Sequence, residues 1–109
     1  MPNAFVYMTA SSMEEAEKIA DKLVSEHLCA CVNILPGLRS VYRWKGVVER
    51  AEEVALIGKT REILVPLVVE AVKSVHSYEV PAVASWPIGR GNPDFLRWIE
   101  EETRGPLHD

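Results

Sequence analysis

The densest group of reactive side chains in the sequence is His76-Ser77-Tyr78-Glu79: an imidazole, two hydroxyls and a carboxylate in a row. His76 could ligate a soft or borderline metal, with Glu79 as a further ligand or as the partner that orients the ring. The same residues also suit plain architecture, because a helix C-terminus attracts a histidine through its dipole and Tyr and Glu commonly fasten loops. Residue types alone favour the fastening role. Cys29 and Cys31 offer two thiols, yet a structural thiolate site wants four ligands and no second CxC or CxxC exists. They read as small buried hydrophobes. Tyr42 and Trp44, with Arg43 between them, could grip a small molecule or a peptide, although interface packing uses the same rings. Lys59-Thr60 sets a cation beside a hydroxyl at a strand end, where a cleft between subunits could be lined; a solvated strand end with a helix cap reads equally well. Gly89-Arg90-Gly91 is spaced like part of a phosphate loop, but the third glycine of the dinucleotide fingerprint falls at Asp94, whose charge opposes a phosphate. No serine sits in a strand-turn-helix nucleophile context, and neither HExxH nor a paired-carboxylate arrangement is visible, so the expectation is a non-enzymatic protein.

Composition narrows the partners. The 109 residues are 48% hydrophobic and 26% charged, as in ordinary soluble chains, and residues 1–109 are long enough for a single core in one domain. The net charge of −4, without any run of Lys or Arg, lacks the footprint of a phosphate-backbone binder, so nucleic acid is not expected. Phe5 to Met8 is too short for a signal peptide or a membrane span, which points to a cytoplasmic chain with no membrane partner. Cys29 and Cys31, two apart on an expected strand, put both side chains on one face and do not pair, consistent with a reducing compartment.

These groups need elements to hold them. Ala4 to Thr9 is a short aromatic and β-branched run whose length favours a buried strand. Ser11 and Ser12 stop it, each followed three residues later by Glu14 or Glu15, the spacing of a capping box. The helix they open carries Met13, Ala16, Ile19, Ala20, Leu23 and Val24 on one side and charges on the other, so it lies against a sheet. From Cys31 to Thr60, two β-rich arms flank Lys45-Gly46, where a two-residue turn joins antiparallel neighbours. Pro36-Gly37 predicts a bend or bulge in the first arm. An arm of about fifteen residues at about 3.3 Å each is about 50 Å long. A compact chain of this size has a diameter of about 35 Å, so the hairpin is expected to overhang its domain and to want a partner.

A second amphipathic helix spans Glu62 to His76, with apolar residues at Ile63, Leu64, Leu67, Val68, Ala71, Val72 and Val75. Pro66 is comfortable only in a first turn, so this helix starts later than Glu62 or is distorted near its start. Val80 to Ile88 is a third β-rich segment whose flanking prolines suit an edge. Asn92-Pro93-Asp94 starts a last helix and Gly105-Pro106 ends it. The order β, α, β, β, α, β plus a helix gives an α+β chain on the split βαβ plan, two helices covering one face of a four-stranded antiparallel sheet. The other face has no helix assigned to it unless the last one lies there, and another subunit is the natural cover.

Three stretches carry a resemblance: ACVNILPGLRSVYRWKGVVERAEEV, then KT, then VKSVHSYEVPAVASWPIGRGNPDFLRWI. Together they closely resemble the CutA family of divalent-ion tolerance proteins over nearly the whole chain. The resemblance implies a ferredoxin-like fold similar to the PII signalling proteins, a homotrimer, and a role in tolerance of copper or another divalent cation, without a known reaction. It also implies an inter-subunit cleft drawing on Tyr42, Trp44, Lys59, Thr60, His76, Tyr78 and Glu79. Some bacterial members are similar in having a copper site built from a cysteine ending the first strand and histidines before the Tyr loop. Those positions here are Met8, Val75 and His76, which leaves His76 and the soft thioether of Met8 as the implied metal ligands. A PII-like sensor or scaffold that binds a small anion or a partner protein in the cleft is the alternative reading.

Overall fold

Ala4, Val6, Met8 and Ala10 alternate with Phe5, Tyr7 and Thr9 along β1 (Asn3–Ala10), and the two sets meet different surroundings. The even set is buried in the main core. The computed structural model describes residues 2–104, in which β1 is followed by α1 (Met13–Ser25), β2 (Cys31–Trp44), β3 (Val47–Arg61), α2 (Val65–Val75), β4 (Val83–Pro87) and α3 (Pro93–Glu102). The strands form one antiparallel sheet in the order β2-β3-β1-β4, the ferredoxin-like plan that the alternation of elements predicts. The prolines around β4 fit its place at an edge, where no ladder bond is lost. Among the described residues, no helix is long and apolar enough to cross a membrane.

Helix α1 begins as its serines dictate. Ser12, in extended backbone, caps the first turn by accepting from the Glu15 amide at 3.1 Å. Glu15 reaches back one residue further than a simple capping box, accepting from the Ser11 amide at 2.9 Å. Ala16, Ile19, Ala20 and Leu23 turn inward, while Met13 and Val24, expected on the same side, sit at the helix ends and stay exposed. The helix leaves through His27 in the left-handed region (φ 60°), where the Leu28 amide bonds back to the Leu23 carbonyl.

The second helix resolves its proline by starting late. Glu62–Leu64 forms a 3₁₀ turn, and Pro66 then occupies the first turn of α2, where its missing amide costs nothing. Leu64, Val68 and Val72 are buried, and Ile63 and Leu67 face outward. Asn92 caps α3 by accepting from the Asp94 amide at 3.0 Å. Helix α3 ends at Glu102; the Gly105-Pro106 stop lies outside the described residues.

The hairpin overhangs the sheet as expected, but it is bent rather than straight. The molecule measures 43 × 28 × 22 Å, so its longest dimension falls short of the straight-arm length. Pairing with β1 ends at Val54, and beyond it β2 and β3 continue as a two-stranded ribbon. The ribbon bends over the sheet's uncovered face, bringing Lys45 at its tip to 3.6 Å from Glu79. Residues 41–50 nevertheless stay exposed, so the ribbon overhangs the sheet while its tip leans toward the loop after α2.

Candidate functional site

The bend has a residue-level cause that also chooses which side chains line the site. Between Leu35 and Leu38, β2 advances three residues while β3 advances from Ala55 to Glu53, so one residue of β2 is extra. Gly37 takes φ +83° there, a conformation glycine adopts without steric cost. The extra residue exchanges the faces of β2. Before it, Cys31, Asn33 and Leu35 share the face of Ile57 and Lys59; after it, Leu38, Ser40, Tyr42 and Trp44 do. Tyr42 and Trp44 therefore look into the space beneath the ribbon. The turn beyond them has Lys45 at φ 50° and Gly46 at φ 83°, both left-handed, as a tight hairpin turn requires.

A cavity of about 750 Å³ lies there, lined by Tyr7, Tyr42, Trp44, Glu53, Tyr78 and Glu79 among others. Glu53 is buried and accepts a 2.7 Å hydrogen bond from the Tyr78 hydroxyl. Burial, and then the hydrogen bond to the Glu53 carboxylate, push the Tyr78 hydroxyl well above its ordinary range, so it stays a donor. Sequence reasoning missed Glu53 and Tyr7. The signal was available: Glu53 opens the apolar run Val54-Ala55-Leu56-Ile57 and, by period two, shares a face with Ala55 and Ile57.

The loop after α2 is fastened through His76, Ser77 and Tyr78. His76 donates from Nε2 to the Thr9 carbonyl at 2.7 Å, and its Nδ1 accepts from the Tyr78 amide at 3.0 Å. Both ring nitrogens are engaged, and the ring packs on Tyr78 with centroids 4.7 Å apart. The Ser77 amide donates to Glu15 at 2.8 Å, which ties the loop to the start of α1. Burial opposes ionisation of Glu15, but hydrogen bonds from Ser11 and Ser77 outweigh it and hold the carboxyl at about 2. Glu15 is thus a latch that sequence reasoning took for a helix cap alone. Glu79 is the exception, exposed and near Lys45.

Two implied site residues lie elsewhere. Met8 belongs to the even set of β1 and is fully buried between sheet and helices, its methyl group beside the space a side chain at Gly58 would take. It is a core residue, placed on the other face of the strand from Thr9. Lys59 and Thr60 are neighbours on a strand and so point to opposite faces. Thr60 is wholly buried and donates to the Leu28 carbonyl at 2.6 Å, which removes it from any cleft. Lys59 lies on the uncovered side, bonding the Asn33 side-chain oxygen and, at 3.3 Å, the Ile57 carbonyl. The cysteines separate too, against the expectation of a shared face. Cys29 precedes the strand and packs in the core, where burial, with Cys31 nearby, pushes its thiol up to about 12 despite the Lys59 ammonium. Among the described residues, no three His, Cys, Asp or Glu side chains are grouped to hold a metal.

With the geometry fixed, comparison with known proteins places the chain. The family model described as CutA1 divalent ion tolerance protein matches residues 4–102. A divalent-cation tolerance protein CutA from Archaeoglobus fulgidus is 47% identical over 97 residues, 89% of this chain and 94% of that protein. The rice protein CutA 1, chloroplastic, is 44% identical over 95% of this chain, which spans only 59% of the rice protein's length. The crystal structure of CutA1 from Oryza sativa superimposes with a TM-score of 0.92 at 44% identity, covering 95% of each chain. A family model matched along nearly all the described residues, and a relative matched along nearly its full length, assign this chain to the CutA family of divalent-cation tolerance proteins.

Proposed function

We propose that this chain works as a non-enzymatic, homotrimeric divalent-cation response protein of the cytoplasm, binding copper or another divalent cation weakly near His76. The observation that carries the reading is the match to the divalent-ion tolerance family over residues 4–102. The trimer is supported by the uncovered side of the sheet, where Tyr42, Trp44, Val47 and Trp86 are exposed beside the free edges of β2 and β4. In the trimer, Tyr42, Trp44, Lys59, Tyr78 and Glu79 line the cleft between subunits. Weak binding follows from the state of His76: a cation must displace either the Thr9 carbonyl from Nε2 or the Tyr78 amide from Nδ1. Calorimetric copper titration of the wild type and His76→Ala tests it. A lower heat and affinity in the variant is expected, and superimposable curves would sink the role of His76. Light scattering should return three times the 12.2 kDa chain mass.

A second reading, a PII-like sensor for a small anion or a partner protein, is favoured by Lys59. Lys59 is 6% exposed, and its ammonium bonds two neutral oxygens, with no carboxylate within 4 Å among the described residues. A buried cation without a counter-charge is costly and receptive to one. A thermal-shift screen of nucleotides and carboxylates should then give a stabilising hit that Lys59→Ala abolishes.

A further inference from the structure

We infer that Glu15 is the charge partner of the cation at His76, so that a borderline divalent ion such as Cu(II) or Zn(II) is held between His76 Nδ1 and the Glu15 carboxylate. The inference rests on the proposed cation binding at His76 and adds to it a ligand atom, a second residue and a class of ion. It needs no space beneath the ribbon. Both side chains lie where the end of β1, the start of α1 and the loop after α2 meet within one chain.

The hydrogen bonds of the ring choose the atom. The Thr9 carbonyl, 2.7 Å from Nε2, can only accept, so Nε2 carries the proton. The Tyr78 amide, 3.0 Å from Nδ1, can only donate, so the lone pair is on Nδ1. A cation at Nδ1 therefore replaces one amide and leaves the Thr9 bond intact, with the carbonyl orienting the ring as such partners do behind metal-bound imidazoles. Binding at Nε2 would break that bond and move the proton as well.

The geometry then supplies the second donor. Glu15 Oε1 lies 3.9 Å from Nδ1, a gap that two metal–ligand bonds of about 2.0–2.2 Å can span. The carboxylate accepts from the Ser11 amide, the Ser11 hydroxyl and the Ser77 amide, three bonds against about four lone-pair positions. No Lys or Arg lies within 4 Å of it among the described residues, so it is held in place while its charge stays uncompensated. The His76 side chain is 0% exposed and that of Glu15 11%, so a cation there feels the charge with little water between.

The donor set selects the ion. One imidazole nitrogen and one carboxylate, completed by water, suit Cu(II) or Zn(II), whereas magnesium and calcium want oxygen throughout. Soft Cu(I) prefers sulfur, and the Met8 thioether is committed to the core. With no third His, Cys, Asp or Glu grouped beside these two among the described residues, the binding is weak.

The test titrates copper(II), zinc and magnesium salts into the full-length protein in its native assembly, by calorimetry, for wild type, His76→Ala and Glu15→Gln. Glutamine keeps an acceptor for the Ser77 amide and removes only the charge. Copper(II) binding should weaken at least about tenfold in Glu15→Gln and vanish in His76→Ala, and magnesium should give no saturable heat. A His76→Ala protein that binds like wild type removes the parent reading and this inference with it. Weakened binding in His76→Ala beside wild-type affinity in Glu15→Gln overturns this inference alone, as does magnesium binding as tight as copper(II). Should Glu15→Gln prove unstable, histidine ¹⁵N spectra of the wild type with zinc decide: the Nδ1 resonance of His76 should move while Nε2 keeps its proton, and zinc on Nε2 would overturn the assignment.

Discussion

The two faces of the sheet are built from alternate residues of the same strands, yet they solve different problems. On one, Ala4, Val6, Met8, Leu56 and Thr60 meet α1 and α2, and packing and hydrogen bonding are completed within the chain. On the other, Tyr7, Tyr42, Glu53, Lys59 and Trp44 gather rings and charges on a face that α1 and α2 leave open. A closed face supplies stability within the chain, and an open one leaves its burial to whatever covers it. The contrast makes predictions about which substitutions unfold the protein and which alter what it holds.

The largest effect should come from the closed face. Met8→Ala removes a fully buried side chain and is expected to cost about 2–5 kcal/mol, read as a lower midpoint in urea with an unchanged slope. A loss of copper binding in this variant with little loss of stability would reverse the assignment of Met8 to the core. Tyr78→Phe comes next, at about 1–3 kcal/mol, because Glu53 then keeps its burial without its donor. The same experiment compares the faces, since the cost arises from a polar group left unpaired rather than from a void.

The Glu15 latch gives a pH signature. Its carboxyl lies near 2 in the folded protein against an ordinary 4.5, so the folded state favours the ionised form. A depressed folded value means the stabilisation is complete above about 4.5, shrinks as pH falls below it, and is gone below about 2. Glu15→Gln should therefore melt several degrees below wild type at pH 7, a deficit of about 1–2 kcal/mol, and the two proteins should converge by pH 2. A deficit that persists at pH 2 would show that shape, not charge, makes the latch. The smallest effect is expected at the tip: Lys45→Asn places a residue more tolerant of left-handed backbone before Gly46 and should raise stability by about 0.5 kcal/mol. The loss of the Lys45–Glu79 contact subtracts little, because both groups are exposed.

The sequence disclosed the closed face more readily than the unfinished one, for a physical reason. Period-two alternation in Ala4–Ala10 and period-3.6 spacing in Ala16–Leu23 are local records of a core, and each element stands close to where those patterns put it. Pro66, Asn92 and Pro36-Gly37 likewise carried their local meaning into the fold. The site depends on contacts between distant segments. Glu15 meets Ser77 across 62 residues, and Tyr78 meets Glu53 across 25. No spacing rule links such pairs. Met8 and Thr60 were drawn into the site by likeness of position, and their strand parity places them in the core. Tyr42 and Trp44 reach the cavity only because one extra residue upstream reverses which side they face.

That extra residue makes the outer hairpin far more sensitive to length than to composition. Deleting one position between Leu35 and Leu38 would leave every side chain chemically unaltered and yet send Tyr42 and Trp44 to the opposite surface, carrying Arg43 toward the cavity in their place. Descendants of this chain can exchange rings and charges along the ribbon one at a time and explore new ligands gradually. A single-codon deletion there would instead turn the binding surface inside out in one step.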